Sequence, residues 1–372
     1  MLIDWDWVGE QLKGKDISGW FGSASGGKYL QGFQKKFADY CGVKHGIAVS
    51  SGSASIYVAL RACGVGTGDY VAVPAYTHIG SVAPIILAGA KPLFIDSDKF
   101  GNLSPSDLER AVKGKRNVRA VITVHLLGVP CEMQEIKDVI NDYAEKVFIV
   151  EDASHALGSE YKEKRCGSLG DIGCFSIGGG RTKTIGTGEG GMIVVDDDDL
   201  AEKCRNVRNH GDRYTDVDYF CFNFRMSELN AVVGLSQMPK LDMLVNWQIT
   251  KAEYLLAKLP PFLSVPKPPT HVKSTRYLLG CVYRGERLSR DDFVSRLIDA
   301  LNKKGIENGV PRKNVGKGQT KLIDQVRFYQ RFKRACPFAQ SLVENSVWID
   351  WHRYPRTEEE IDELMEIIED VA

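Results

Sequence analysis

Short apolar runs alternate with segments of helical periodicity along most of the chain. Apolar residues recur at helical spacing from Tyr29 to Cys41, and Gly42 ends that segment. The strand-like runs that follow are short and almost continuously apolar, and they include residues 46–50, 70–74, 91–96, 118–124 and 147–150. Because strands that alternate with helices usually lie side by side in one sheet, the pattern predicts an α/β fold with a mainly parallel central sheet.

The composition changes after Val245. Prolines punctuate residues 260–269, an apolar run at residues 277–283 predicts a strand, and helical patterns occupy about 291–304 and 358–370. We therefore predict an N-terminal segment and large domain over residues 1–245 and a smaller α+β domain over residues 246–372. With 372 residues, the chain is long enough to form more than one hydrophobic core.

Charge balance and cysteine usage exclude several classes of protein. Lysine plus arginine and aspartate plus glutamate each number 48, so no overall basic field indicates binding to nucleic acid. Nine cysteines without a CxxC pair argue against a secreted disulfide framework, and we predict no metal site. Acidic residues occur where a signal peptide would be positive, and no apolar run approaches the roughly 20 residues of a membrane span. We therefore expect a cytoplasmic protein without membrane contact.

Two segments carry residues suited to one kind of cofactor chemistry. Asp152 follows the apolar run at 147–150, and Lys183 lies in a glycine-rich stretch that continues through residues 188–191. A lysine amine forms a Schiff base with the aldehyde of pyridoxal phosphate (PLP), and a carboxylate keeps the pyridine nitrogen of that cofactor protonated. A lone lysine is usually a solvated surface charge, but its pairing with Asp152 favours a catalytic interpretation.

Further candidates lie where strands end. Gly52 and Ser53 begin a helix directly after a strand, and the N-terminus of a helix is suited to binding a phosphate. His155 is a candidate for a contact with the cofactor and equally for a structural histidine. His78 follows another strand and is suited to covering one face of the pyridine ring, although stabilising its own loop fits it almost as well.

Several motifs, in this order, resemble the DegT-type sugar aminotransferases, a family of fold-type I PLP enzymes. They are Tyr40-Cys41-Gly42-Val43, Ser51-Gly52-Ser53-Ala54, residues 74–78, residues 151–158, Lys183 with residues 188–191, Asn209-His210-Gly211 and residues 223–229. The resemblance runs from about residue 20 to residue 245. It implies a fold-type I architecture with a large domain and a smaller α+β domain, and pyridoxal 5'-phosphate as the cofactor.

The resemblance also implies a role for each matching residue. Lys183 is expected to form the Schiff base and to carry protons, and Asp152 to pair with the pyridine nitrogen. The other cofactor contacts are expected at the phosphate (Gly52, Ser53 and Ser176), at the ring oxygen (His155) and at the ring face (His78). Asn223 is expected to reach the phosphate of the cofactor in a neighbouring subunit, which implies a homodimer with shared sites.

Three departures from the family pattern bear on these roles. Ser176 and Lys183 are seven positions apart instead of five, and counting from the serine places Arg181 in the lysine position. Arginine stays protonated and cannot form an imine, which favours Lys183 and a loop that is two residues longer. His78 replaces the usual phenylalanine, tyrosine or tryptophan. The family's proline-leucine-histidine segment is missing, and residues 310–314 and 348–353 are candidates for an unusual acceptor pocket.

We therefore predict an aminotransferase that moves an amino group from glutamate or glutamine to a ketone in a ping-pong cycle. The acceptor is a sugar, a nucleotide-linked keto-sugar or a cyclitol. A keto-sugar dehydratase is an alternative, but the related dehydratases have histidine in the position of Lys183. A PLP-binding regulatory protein without turnover is a second alternative, and the intact pair of Lys183 and Asp152 argues against it.

Overall fold

A computed structural model describes residues 3–13, 26–143, 146–178, 183–211, 221–303, 315–316, 321–349 and 357–372. The predictions for Arg181, for residues 310–314 and for residues 350–353 fall outside these ranges. None of the helices in the described ranges combines the length and the apolar composition that a membrane crossing requires.

Helices and strands alternate as the apolar pattern predicts. The helices are α1 (Trp5–Leu12), α2 (Lys28–Cys41), α3 (Gly52–Ala62), α4 (Ile79–Leu87), α5 (Pro105–Val112), α6 (Met133–Asn141), α7 (Asp198–Arg208), α8 (Glu228–Gln237), α9 (Leu241–Ala257), α10 (Arg290–Lys303), α11 (Pro337–Asn345) and α12 (Glu358–Val371). The strands are β1 (His45–Val49), β2 (Tyr70–Pro74), β3 (Lys91–Ile95), β4 (Val118–Val124), β5 (Phe148–Asp152), β6 (Glu160–Tyr161), β7 (Lys164–Arg165), β8 (Ile172–Ser176), β9 (Gly191–Val195), β10 (Leu263–Ser264), β11 (Val272–Lys273), β12 (Leu279–Tyr283), β13 (Val315–Gly316) and β14 (Ser346–Ile349).

One seven-stranded sheet, with the order β1-β9-β8-β5-β4-β2-β3, forms the centre of the molecule. The five strands β8, β5, β4, β2 and β3 pair parallel with one another in this order. Strand β9 pairs antiparallel with β8 and with β1. Alternate residues of β2 pack on opposite faces, with Val71 and Val73 in one apolar core and Ala72 in the other. The predicted α/β fold with a mainly parallel sheet is therefore confirmed.

A second sheet, β10-β12-β14-β13, is antiparallel and packs against α10 and α12 around a third apolar core. The boundary at residue 245 stays a prediction, and Val245 lies within α9. The strand predicted at residues 277–283 is two residues shorter, because β12 begins at Leu279. Tyr277 precedes the strand and packs against the large sheet's loops instead.

A segment from much later in the chain packs against β3, one of the two outer strands of the large sheet. Arg334 donates to the carbonyl oxygen of Phe94 in β3 (3.1 Å) and forms an ion pair with the carboxylate of Asp107. Asp96, directly after β3, accepts the backbone N–H of Ala339 in the first turn of α11 (2.7 Å). A carboxylate at a helix N-terminus is favourable, so these contacts hold the segment against the sheet.

A buried carboxylate ties the end of β5 to the loop that precedes β8. Glu151 accepts the backbone N–H of Leu169 through Oε1 (2.6 Å) and that of Gly167 through Oε2 (2.7 Å). The Nε2 atom of His125 lies 2.9 Å from Glu151 Oε2, and His125 Nδ1 accepts the N–H of Cys131 (3.1 Å). The neutral imidazole therefore carries its proton on Nε2 and donates it to Glu151. Because these groups are buried, each depends on the others for its hydrogen bonds.

Replacement of this carboxylate should destabilise the fold strongly. We expect Glu151→Ala to lower the free energy of unfolding by about 3–5 kcal/mol, because it leaves buried donors without an acceptor. Urea denaturation measures the loss. Glu202 is exposed, and Glu202→Ala should change the same quantity by less than about 0.5 kcal/mol. Equal effects of the two substitutions would contradict the anchoring role.

Candidate active site

A cavity of about 290 Å³ lies where strands β1, β2, β4, β5 and β8 end. This is the edge at which parallel α/β sheets bind ligands. Seven of the eight predicted site residues line the cavity: Gly52, Ser53, His78, Asp152, His155, Ser176 and Lys183. The structure thus brings together residues that are up to 131 positions apart in the sequence (183 minus 52).

The N-terminus of α3 forms one wall. Ser51 caps this helix by accepting the N–H of Ala54 (3.1 Å), and the first-turn N–H groups of Gly52 and Ser53 have no acceptor within the helix. A Cβ atom on Gly52 would lie only 2.6 Å from the Cβ of Ser176, so glycine is what allows β8 to approach this turn. The two backbone N–H groups and the hydroxyl groups of Ser53 and Ser176 suit this wall to binding an anion such as a phosphate.

Asp152 lines the same cavity, is buried and has a fixed orientation. Its Oδ2 accepts the hydroxyl proton of Ser81 (2.7 Å), and its Oδ1 accepts the N–H of Ser154 (3.1 Å). The hydroxyl of Thr77 lies 3.1 Å from that of Ser81 and donates to it, since Ser81 gives its own proton to Asp152. Each carboxylate oxygen retains a lone pair for a cationic partner.

The amine of Lys183 points to the same end of the cavity. Its Nζ donates to the carbonyl oxygen of Ser154 (2.7 Å) and lies 5.0 Å from the centre of the Tyr277 ring. Burial lowers the pKa of Lys183 to about 8, and the negative charge of Asp152 partly opposes this shift. A lysine with such a pKa has an appreciable neutral fraction near physiological pH, which an imine-forming amine needs.

The two predicted histidines have defined contacts. His155 stacks on Tyr277 with ring centres 4.1 Å apart and an interplanar angle of 12°, and its Nδ1 accepts the N–H of Leu127 (3.4 Å). His78 Nδ1 accepts the N–H of Gly80 (3.0 Å) and so caps α4. The two interpretations of His78 are therefore compatible, because the same side chain stabilises its loop and lines the cavity.

Asn223 does not line the cavity of its own chain. It is exposed and lies in a segment that is joined to the end of β1, because Phe224 accepts the N–H of Ser50 (2.8 Å). The expected contact with a neighbouring subunit stays a prediction.

The residues that were not predicted for the site include Thr77, Ser81 and Ser154, which line the cavity, and Tyr277, which contacts two of the lining residues. Thr77 precedes the N-cap residue His78, and Ser81 lies in the first turn of α4, so the contact of their hydroxyl groups depends on the turn that begins the helix and has no periodic signal in the sequence. Ser154 contributes a backbone carbonyl, for which side-chain identity gives no signal. The contact of Tyr277 with this site depends on tertiary packing.

The chain matches the model of the DegT/DnrJ/EryC1/StrS aminotransferase family over residues 10–369. It is 38% identical over 300 residues to GDP-perosamine synthase of Caulobacter vibrioides, a match that covers 77% of this chain and 76% of that enzyme. It is 35% identical over 218 residues to UDP-N-acetyl-3-dehydro-alpha-D-glucosamine 3-aminotransferase of Acidithiobacillus ferrooxidans, covering 58% of each. The structure of S. venezuelae DesV superposes with a TM-score of 0.83 at 25% identity, covering 98% of this chain and 93% of DesV.

Fold and comparisons together define an enzyme of the fold-type I PLP-dependent class. The chain belongs to the DegT/DnrJ/EryC1/StrS aminotransferase family and is a PLP-dependent aminotransferase. The predicted family, fold class, enzyme class and cofactor are thereby confirmed. The cavity fits the cofactor, because it joins helix N–H groups that have no acceptor within the helix, a buried oriented carboxylate and an amine of lowered pKa.

The lowered pKa of Lys183 predicts the pH dependence of cofactor capture by the apoprotein. Only the neutral amine attacks an aldehyde, and with a pKa of about 8 about one tenth of it is neutral at pH 7, against about one in three thousand for an ordinary lysine. The capture rate should fall about tenfold per pH unit below pH 8 and level off above it. Stopped-flow absorbance with PLP measures the rate. A rate that keeps rising toward pH 10.5, as for a free lysine amine, would contradict the assignment.

Proposed function

We propose that this aminotransferase converts the ketone of a sugar, a nucleotide-linked keto-sugar or a cyclitol into an amine, with glutamate or glutamine as the donor. The observation that carries the amine-transfer chemistry is the placement of the Lys183 amine and the Asp152 carboxylate in one cavity. The choice of a sugar acceptor is supported by the relatives, since one is a GDP-perosamine synthase and another aminates a UDP-linked 3-dehydro sugar.

Bound PLP supplies an aldehyde that accepts the amino group and a ring that withdraws electrons from the reacting carbon. The residues expected to hold it are Gly52, Ser53 and Ser176 at the phosphate, Asp152 at the ring nitrogen, His155 at the ring oxygen and His78 at the ring face. Asp152 is suited to a cationic nitrogen because Ser81 and Ser154 fix both of its oxygens. An ionic hydrogen bond there keeps the nitrogen protonated.

Lys183 is expected to move the protons. Its Nζ is held by the carbonyl oxygen of Ser154, so it can shuttle a proton to and from the carbon that loses or gains the amino group. Since the pKa of the amine is about 8, both its charged and its neutral form are populated near neutral pH. The same group therefore suits both halves of a ping-pong cycle, one with the donor and one with the keto-sugar.

Absorbance of the PLP-loaded protein tests this function. Addition of glutamate or glutamine should replace the visible band by one at shorter wavelength, and a GDP- or UDP-linked keto-sugar should restore it while an amino sugar appears by mass spectrometry. Lys183→Ala should slow turnover by about 10²–10⁴-fold, because the proton carrier is lost. Lys36 is exposed, and Lys36→Ala is the matched control. A visible band that neither donor changes would contradict the proposal.

We also propose a homodimer whose active sites are shared. Asn223 is exposed and lies outside the cavity of its own chain. Large apolar side chains are exposed close to it in the sequence, with Phe222 at 51% and Leu229 at 45% exposure. Exposed apolar surface beside a polar residue is typical of a surface that meets another protein chain.

A mixture of two variants that are each impaired alone tests whether the active sites are shared. Asn223→Ala and Lys183→Ala should each be impaired alone, but random pairing restores one native site in each mixed dimer, so activity should recover to about a quarter of wild type. Steady-state turnover after unfolding and refolding the mixture measures the recovery. A mixture of Asp152→Ala and Lys183→Ala is the control and should stay inactive, because both residues belong to one site. Equal behaviour of the two mixtures would contradict shared sites.

A further inference from the structure

One aromatic ring from outside the parallel sheet contacts two residues of the site. Tyr277 precedes β12 of the antiparallel sheet, and only 6% of its surface is exposed. Its ring stacks on His155 at 4.1 Å and lies 5.0 Å from Lys183 Nζ. Tyr277 therefore lies behind the cavity and contacts both the imidazole of His155 and the amine of Lys183.

The segment that carries Tyr277 is fixed to the loops of the large sheet. Ser274 donates its hydroxyl proton to the carbonyl oxygen of Gly128 (2.9 Å), and the hydroxyl of Thr275 lies 3.4 Å from the carbonyl oxygen of His155. Arg276 has a φ of 53°, in the left-handed region that residues other than glycine rarely adopt. Such a conformation persists only where the surroundings impose it, and here it directs the next side chain, Tyr277, toward the site.

The close approach of residues 274–277 to the large sheet's loops also requires a glycine at position 128. A Cβ atom on Gly128 would lie 2.9 Å from the backbone nitrogen of Tyr277 and 3.1 Å from the carbonyl oxygen of His155. The φ of Gly128 is 83°, so the position favours glycine for its conformation as well. Three features therefore fix the position of the Tyr277 ring. They are the close backbone approach at Gly128, the left-handed conformation of Arg276 and the hydrogen bonds of the two hydroxyl groups before it.

We propose that Tyr277 is a positioning residue that holds the imidazole of His155 in its plane and shields the amine of Lys183 from water. The proposal rests on the proposed function, because it concerns the same site. Tyr277 lines no part of the described cavity wall and acts through the two residues that do.

Two opposing effects of the ring on Lys183 decide the expected result. An aromatic face attracts an ammonium group, which favours the charged amine, whereas exclusion of water favours the neutral amine. The charged or titratable groups that line the cavity with Lys183 are Asp152, His78, His155 and Glu189. Burial outweighs the charge of Asp152 and lowers the pKa of the amine. Because burial outweighs even the full charge of Asp152, we expect the loss of shielding to outweigh the loss of the weaker attraction between the ring and an ammonium group, so removal of the ring should raise that pKa.

Competitive labelling of the apoprotein tests the proposal without turnover. Trace acetic anhydride is applied across neutral to alkaline pH, and mass spectrometry of the peptide that contains Lys183 gives the pKa of its amine. We expect a midpoint of about 8 for wild type and for Tyr277→Phe, which keeps the ring. For Tyr277→Ala we expect the midpoint to rise by about one unit. Capture of PLP at neutral pH should then be about tenfold slower.

Tyr283 provides a matched control. It is also a buried, stacked tyrosine, with 7% exposure and its ring 4.8 Å from that of Phe293, but it belongs to the core of the second sheet. Tyr283→Ala should leave the labelling midpoint of Lys183 and the capture rate at the wild-type values. Circular dichroism checks that each variant is folded, and Tyr277→Leu replaces Tyr277→Ala, with the same criteria, if the alanine variant does not fold.

An unchanged midpoint and capture rate in the Tyr277 variant overturn the proposal, and so do equal changes in the Tyr283 variant. A changed midpoint in Tyr277→Phe overturns the role of the ring itself. Failure of the proposed function looks different, because wild-type protein would then show the low midpoint and capture PLP, yet aminate no keto-sugar.

Discussion

Two adjacent carboxylates at the end of β5 organise the structure around the cavity. Successive side chains of a strand point to opposite faces, so Glu151 faces the buried loop and Asp152 faces the cavity. His125 connects the two, because its ring donates to Glu151 while its backbone N–H donates to the carbonyl oxygen of Asp152 (3.1 Å). Glu151 is surrounded by backbone donors and fixes the strand end, which leaves Asp152 free to serve a ligand.

The rest of the cavity combines backbone and side-chain contacts in the same way. Gly52 lets the end of β8 approach the first turn of α3 at Ser176, and the hydroxyl of Ser81 orients the carboxylate of Asp152. Lys183 depends on both, since its amine is held by a backbone carbonyl and surrounded by side chains from several elements. The low pKa of this amine is therefore a property of the whole arrangement and not of its glycine-rich segment alone.

The sequence predicted the features that local pattern determines. The strands Tyr70–Pro74 and Val118–Val124 begin and end where the apolar runs do, and seven site residues were found because they follow strands or glycines. Tyr277 was assigned to a strand because it opens an apolar run, but packing on His155 and the left-handed Arg276 before it place it outside β12. The role proposed for Asn223 involves a second subunit, so the structure of one chain does not test it.

One of the two outer strands, β3, is held by residues that are far away in the sequence, and this has a consequence for biosynthesis. Residues 91–95 leave the ribosome more than two hundred residues before Arg334 and Ala339, which donate hydrogen bonds to the carbonyl oxygen of Phe94 in β3 and to the carboxylate of Asp96 directly after it. During this interval the nascent chain presents an open strand edge, the kind of surface at which strands of other molecules add. The contacts of Arg334 and Ala339 thus protect this side of the sheet against self-association only after all seven of its strands have been synthesised.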